Sequence, residues 1–257
     1  MIKAAFFDVD GTLLSHTTNS VPQSARDSLA ALRTKGIKTY LCTGRHAVEL
    51  DLLPVADIPF DGYITLNGHL CLDENQQMLF GLPFPEDTTQ ALIRLFKEQQ
   101  LPLVLVEESG LTLNFVNETV IRAQKAISTP VPDIAPYDGK PIFQATTFLS
   151  CEEDDRLRSI MPPNCHAARW NERGVDLILE GGGKVAGIRY VIEREGILPE
   201  ECIAFGDAEN DIDMLVFCGI GIAMGNAQDK VKEIADYVTT DIDHDGVKNA
   251  LRVYGIL

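Results

Sequence analysis

Two carboxylates stand two residues apart in Phe6-Phe7-Asp8-Val9-Asp10-Gly11-Thr12. They follow residues 2–7, a short apolar run with no breaker, which reads as a buried strand. In an open parallel sheet, ligands sit beyond the carboxyl ends of the strands. On extended backbone, residues two apart point the same way, so Asp8 and Asp10 repel each other. Such a pair favours a cation between the carboxylates or a shared proton, and Mg²⁺ suits oxygen ligands of this kind. A carboxylate can also attack phosphorus and form an aspartyl phosphate. Asp-x-Asp-Gly by itself is equally a solvated turn at the end of a strand.

Three further stretches bear on that choice. Thr43-Gly44-Arg45 directly follows residues 37–42, a second apolar strand. A hydroxyl, exposed backbone N–H groups and a guanidinium fork can together hold a phosphate, although a capped turn has the same composition. Glu180-Gly181-Gly182-Gly183-Lys184 leads into a helix at 185–195. It is not a P-loop, because Val185 stands where Ser or Thr is required and the upstream glycine is missing. Taken alone, Lys184 reads as a solvated surface residue. Gly206-Asp207-Ala208-Glu209-Asn210-Asp211 follows a third apolar strand at 202–205. One helical turn would set Asp207 and Asp211 on the same face, or the acids simply complement a helix N-terminus. Asp241, Asp243, Asp245 and Gly246 imitate the start of a calcium loop, but the twelfth position is Arg252 rather than Glu. Strand ends of a parallel sheet share one edge, so a single site accounts for these stretches better than four separate coincidences.

Positioning them requires a βαβ framework, and the chain supplies it. Residues 2–7, a loop, a helical stripe of Ala25, Leu29 and Leu32, and the strand at 37–42 form strand–loop–helix–strand. Residues 62–66 read as another strand, Asn67-Gly68 as a hairpin turn, and 69–73 and 78–82 as returning strands. At Pro83-Phe84-Pro85 the character changes. Helices at 86–100, 118–127 and 152–160 are interleaved with paired strands at 103–106, 111–115, 142–149, 165–170 and 175–179. An irregular connection at 128–141 carries four prolines. This pattern describes an α+β unit with an antiparallel sheet, inserted at 83–180 into a core of 1–82 and 181–257.

Length and composition agree with a two-part chain. At 257 residues it buries about 70–75% of its unfolded surface and needs no staples. The net charge of −16 argues against nucleic acid and against an anionic membrane surface as partners. An acidic protein that handles phosphate needs a metal or local positive charge at the site. Cys42, Cys71, Cys151, Cys165, Cys202 and Cys218 form no Cys-x-x-Cys, and most lie in apolar runs, as buried free thiols of a reducing, cytoplasmic compartment do. No apolar run approaches the roughly 18 residues of a membrane span. The sequence carries no signature of an oligomeric state.

Asp-x-Asp-Gly-Thr, Thr-Gly-Arg, the later Lys184 and Gly-Asp-x-x-Asn-Asp resemble the four motifs of the haloacid dehalogenase superfamily. The insertion resembles the type IIB cap of the Cof-type sugar-phosphate phosphatases. The resemblance covers essentially the whole chain. It implies an α/β fold, a doubly wound parallel-sheet core with an inserted α+β cap, and Mg²⁺-dependent hydrolysis of small phosphorylated metabolites. It implies Asp8 as nucleophile and Asp10 as general acid and then base. Mg²⁺ would be held by Asp8, the backbone carbonyl of Asp10, and Asp207, with Asp211 and Asn210 supporting the metal or phosphate shell. Thr43, Gly44 and Lys184 would bind the phosphoryl oxygens, with Arg45 as a further candidate donor. An acid at Asp10 calls for a raised pKa.

The same motifs separate relatives. Dehalogenases of the superfamily lack the second Asp, having no alkoxide to protonate, and the related ion pumps carry Thr there. A phosphomutase shares the cap type and the Asp pair, but must retain a second phosphate. Arg122, Arg156, Arg158, Arg169 and Arg173 are scattered rather than clustered for that task. A non-catalytic ligand-binding member of the fold is the third alternative, and intact Asp8, Asp10, Lys184 and Asp207 count against it. Arg169-Trp170-Asn171 offers an aromatic face and polar groups suited to a sugar, or else a cap-core tryptophan.

Overall fold

The computed structural model describes residues 1–127 and 129–257; Ser128, which opens the irregular connection expected at 128–141, lies outside the described residues. In chain order the elements are β1 (Ala4–Phe7), α1 (Gln23–Thr34), β2 (Lys38–Cys42), α2 (Ala47–Leu50), β3 (Gly62–Thr65), β4 (Leu70–Asp73) and β5 (Met78–Gly81). There follow α3 (Glu86–Glu98), β6 (Leu103–Glu107), β7 (Gly110–Leu113), α4 (Glu118–Ala126), β8 (Gln144–Phe148), α5 (Asp154–Ile160), β9 (Cys165–Arg169) and β10 (Gly174–Leu179). The chain closes with α6 (Lys184–Glu195), β11 (Cys202–Gly206), α7 (Ile212–Phe217), β12 (Ile220–Ala223), α8 (Asp229–Ile234), β13 (Tyr237–Val238) and α9 (Gly246–Val253). It divides into two compact units, 1–80 with 183–257, and 81–182. Among the described residues no helix is long and apolar enough to cross a membrane.

The first unit is built on an eight-stranded sheet in the order β13-β12-β11-β1-β2-β3-β4-β5. Pairing is parallel from β13 to β3, and β4 runs antiparallel to β3. A strand with two buried faces needs apolar residues at every position, and β1 shows why its sequence is a continuous run. Ala5 and Phe7 face a layer that includes Leu29 and Leu32 of α1 and Val247 and Leu251 of α9. Ala4 and Phe6 face the opposite layer, with Ile188 and Val191 of α6 and Met214 and Leu215 of α7. Phe7 stacks on Phe205 with centroids 4.9 Å apart, and Phe6 on Tyr40 at 5.2 Å. Each such ring, removed from water, contributes on the order of 2–3 kcal/mol.

From β1 the chain steps one way through β2 to β3, and later the other way through β11 to β13. β1 therefore lies at the switch point, where a crevice opens beyond the strand ends. Register matters here. Phe7 is level with Leu41 and with Phe205, so Asp8, Thr43 and Asp207 emerge within a residue of one another along the sheet edge.

Two local readings change. Asn67-Gly68 does join antiparallel strands, but not as a two-residue hairpin turn. Leu66–Gly68 is a 3-10 turn in which Leu66 and Asn67 both take φ of 51°, and both are buried. The short helix α2 was not expected. Four residues are too few for a periodic signal, and its cap is His46, whose Nδ1 accepts from Val48 N at 3.1 Å while Glu49 accepts from His46 N at 2.9 Å.

The second unit is a five-stranded antiparallel sheet, β7-β6-β8-β10-β9. Leu92 and Phe96 of α3 and Leu157 of α5 pack on Leu103, Leu105, Ala145, Val175 and Leu177. Here Arg169-Trp170-Asn171 is structural. Arg169 pairs with Asp154 and donates to the carbonyls of Leu149 and Asn171, and Asn171 Oδ1 accepts from the backbone of Arg173 and Gly174. Trp170 donates to Asp176 at 3.1 Å, and its ring fills the space a side chain on Gly174 would need.

Candidate active site

Asp8 continues the pairing of β1 past its last strand residue, its N–H donating to Phe205 O at 3.0 Å. Its side chain meets Lys184, whose Nζ lies 2.6 Å from Asp8 Oδ1 and 2.6 Å from Asp211 Oδ1. Lys184 is fully buried, so the reading of a solvated surface lysine is overturned. The cause is local. Gly183 takes φ of +116°, and a Cβ there would lie 2.5 Å from Asp213 Oδ2, so only glycine lets the chain turn inward at this point. Asp213 then accepts from Val185 N at 3.3 Å and secures the first turn of α6.

Asp211 holds the last motif together. Its Oδ2 accepts from the N–H groups of Asp207 and Ala208, both at 2.9 Å, while Oδ1 takes the lysine. Gly206 leaves the room, since a Cβ there would lie 2.5 Å from Asp211 Cβ. Asp207 accepts from Thr12 Oγ1 at 3.1 Å and presses against Gly11, which has φ of +83° and no space for a side chain. Asp8, Asp207 and Asp211 each present an oxygen within 4.8 Å of the others.

Charge does not balance within this group. When all are ionised, three carboxylates, Asp8 and Asp211 buried and Asp207 half-buried, against one ammonium leave two negative charges. Burial, opposed by Lys184 and helped by Asp211 and Asp10, raises the Asp8 carboxyl to about 7. Burial and the charges of Asp8 and Asp211 push Asp207 well above the ordinary carboxylate range. Burial works against the charge on Lys184, but Asp211 and Asp8 outweigh it and hold the ammonium well above its usual value. An all-oxygen set with two uncompensated negative charges is what a hard divalent cation such as Mg²⁺ requires, so these residues fit that ion.

Asp10 stands apart from the three. Its carboxylate is gripped by Arg45, Nε to Oδ2 at 2.6 Å and an amino nitrogen to Oδ1 at 2.7 Å, with His16 Nε2 at 3.1 Å. Burial favours the proton, but the hydrogen bonds and charge of Arg45, with His16, outweigh it and hold Asp10 below the ordinary carboxylate range. The raised pKa expected for an acid at Asp10 is therefore not found in this geometry. Arg45, expected to donate to a phosphate, donates to Asp10.

Thr43 lies at the same edge, almost fully buried, its N–H paired to Ile64 O at 2.8 Å and its Oγ1 accepting from Arg45 N at 3.1 Å. Gly44 lies in the turn between them. Asn210 is bound to Asn67, Nδ2 to Oδ1 at 3.0 Å. Thus Asp8, Lys184, Asp207 and Asp211 form one cluster, Asp10 and Arg45 a second beside it, and Thr43 and Asn210 tie into neighbouring loops. His16, Asn67 and Asp213 were missed. His16 sits in a loop without periodicity, Asp213 reads as an ordinary acid of a first helical turn, and Asn67 was absorbed into a turn signal.

A doubly wound sheet with acidic groups and one buried lysine at its switch point defines a class, and comparison with known proteins gives it a family. The chain matches the family described as haloacid dehalogenase-like hydrolase over residues 5–251, and it belongs to that family. It is 33% identical to YkrA of Bacillus subtilis (strain 168) over 99% of this chain and 98% of that protein. Its fold is similar to BT1666 of Bacteroides thetaiotaomicron, a phosphatase of the superfamily, with a TM-score of 0.89 and 31% identity over 100% of this chain and 96% of that one. It is similar also to BT4131, a subclass IIB sugar phosphatase, with a TM-score of 0.87 and 35% identity over 99% of this chain and 100% of that one. Within the family it is a phosphatase of the Cof type, with a subclass IIB cap.

Proposed function

We propose that the protein hydrolyses small phosphate monoesters, sugar phosphates foremost, in a Mg²⁺-dependent reaction through an aspartyl phosphate on Asp8. The observation that carries this is the group of buried Asp8, Asp211 and Lys184 with half-buried Asp207 at the switch point, three carboxylates with one ammonium. Similarity to the sugar phosphatase BT4131 supports the substrate class.

In this reading a carboxylate oxygen of Asp8 attacks phosphorus, and the ester oxygen departs with a proton from Asp10. Water then attacks the phosphorus of the acyl phosphate and gives a proton to Asp10, releasing inorganic phosphate and restoring Asp8. Lys184 orients Asp8 by its contact at 2.6 Å and supplies positive charge for the phosphoryl oxygens. Thr43 and Gly44 offer further donors to those oxygens. Asp8 and Asp207, with the backbone carbonyl of Asp10, would hold Mg²⁺, which when bound neutralises charge on the phosphoryl group. Asp211 and Asn210 support that shell, Asp211 by fixing Lys184 and the loop at Asp207. Arg45 and His16 keep Asp10 ionised, the state needed to accept the proton of water; to serve first as acid, Asp10 must take up a proton and loosen the Arg45 fork.

Hydrolysis is favoured over mutase chemistry by the insertion itself. Arg122, Arg156, Arg158, Arg169 and Arg173 each pair with a carboxylate of Glu118, Glu153, Asp155, Asp154 or Glu172. Cys42, Cys71, Cys165, Cys202 and Cys218 are buried free thiols, which suits a reducing cytoplasm. The test is phosphate release from an aryl phosphate and from a panel of sugar phosphates with Mg²⁺, for the protein and for Asp8→Asn. Loss of turnover by a factor of about 10⁴ or more, with the melting transition retained, is expected on removing the nucleophile. Near-normal release by Asp8→Asn, or rearranged products that keep their phosphate, would overturn the reading.

A further inference from the structure

Three of the four segments that carry the site, residues 43–45, the start of α6 and residues 207–211, share one neighbour, the buried turn Leu66–Gly68. Leu66 N donates to Arg45 O at 3.2 Å and Asn67 N to Thr43 O at 3.0 Å, so the turn clamps the Thr43–Arg45 loop through the backbone. Gly68 lies against the start of α6, where a Cβ would come 2.2 Å from Gly183 O, next to Lys184. Asn67 Oδ1 then accepts from Asn210 Nδ2 at 3.0 Å, across 143 positions of sequence. Two successive non-glycine residues in left-handed backbone are a strained arrangement, and Leu66 gains no local hydrogen bond from its side chain in return. Strain of this kind persists only where the surroundings hold it.

We propose that Asn67 is a positioning residue of the phosphatase site, acting through Asn210. By accepting the amide N–H it fixes the orientation of Asn210, so that the carbonyl oxygen of that amide is turned away from Asn67 and is the group Asn210 offers beside Asp207 and Asp211. The left-handed turn is what aims the Asn67 side chain at Asn210 while its backbone serves Thr43. This inference rests on the assignment of the Asp8–Asp207–Lys184 group as the phosphatase site.

Asn67→Gly tests it, because glycine accepts the left-handed φ and deletes only the side chain. Its turnover of an aryl phosphate, its Mg²⁺ concentration for half-maximal rate and its melting temperature are compared with those of Asn210→Ala and of the double variant. Loss of a partner that orients a ligating shell typically costs about 10–100-fold in metal affinity or activity. We expect a loss of that size in kcat/KM and a higher Mg²⁺ requirement for Asn67→Gly. The double variant is expected to be no worse than Asn210→Ala alone, since the two residues act as one unit. Asn67→Asp keeps both the acceptor and a tolerance for left-handed backbone, and is expected to recover part of the loss; should the glycine variant fail to fold, this variant against Asn67→Ala carries the comparison. Wild-type kcat/KM and Mg²⁺ requirement in Asn67→Gly, or losses that multiply in the double variant, would overturn the inference. Asp8→Asn run alongside separates the two failures: an inactive Asp8→Asn with a normal Asn67→Gly removes only the role of Asn67, whereas an active Asp8→Asn removes the site.

Discussion

Replacing Asp207 with Asn is expected to stabilise the metal-free protein while weakening the proposed Mg²⁺ site. Half-buried Asp207 lies beside buried Asp8 and Asp211, their oxygens within 4.8 Å, which at an effective dielectric of about 20 sets each repulsion near 3 kcal/mol. Two repulsions, partly offset by the attraction of Lys184, leave about 3 kcal/mol unfavourable. Asparagine keeps the shape and the oxygen that accepts from Thr12, and removes the charge. For a chain of this length about 1 kcal/mol corresponds to roughly 2–4 °C, so the variant should melt some 6–12 °C higher in chelator at pH 8. The pH dependence has a definite sign. Asp8, raised to about 7, and Asp207, raised well above its usual value, keep their protons in the folded chain at low pH. Their contribution is fully present below the ordinary carboxylate pKa and is lost as pH rises through the raised values. Below the ordinary carboxylate pKa Asp207 keeps its proton in both the folded and the unfolded chain, so there the two proteins should melt close together, and the gap should open as pH rises above that value. Mg²⁺ at about 100 times its dissociation constant should raise the wild type by about 2.7 kcal/mol and the variant by little. Calorimetry in chelator from below the ordinary carboxylate pKa up to pH 8, and in Mg²⁺ at pH 8, checks this. A variant that melts below the wild type in chelator at pH 8, or a gap indifferent to pH, would refute the electrostatic argument.

Two other perturbations probe separate parts of the molecule. Arg45→Gln should raise the Asp10 pKa by about 1–3 units, because the guanidinium that holds it down is gone. The basic limb of the kcat profile should move to higher pH, and a profile superimposable on the wild type would contradict the assignment of Asp10 as acid. Gly174→Ala should destabilise the inserted unit by about 1–3 kcal/mol, since its Cβ would lie 2.1 Å from the Trp170 ring. Trp170 is the single tryptophan, so its fluorescence during denaturant unfolding reports the change directly, and an unchanged midpoint would show that the ring moves aside freely.

Much of the architecture was legible because local chemistry and global packing agree. A run such as Ala4–Phe7, apolar at every position, is useful only in a strand covered on both faces, and Asp8 ends it where such a sheet opens. Acidic residues and glycines after β1 and β11, and Thr43 after β2, mark that edge in the sequence itself. The periodicity of Ala25, Leu29 and Leu32 marked the crossover helix. Charges and turns were less readable. Sequence cannot say whether a lysine after three glycines is solvated or sealed, because burial depends on which elements cover it, and Lys184 is sealed by Asp8 and Asp211, brought from 176 and 27 residues away. Nor can it tell that Arg45 folds back onto Asp10, which reverses the expected direction of that carboxyl's pKa. Asn67-Gly68 has the composition of an ordinary hairpin turn, and only its burial against Thr43, Gly183 and Asn210 turns it into part of the site. Short-range patterns follow from backbone and solvent preferences that every residue carries with it, whereas the state of a charge or an amide is set by neighbours that only the folded chain assembles.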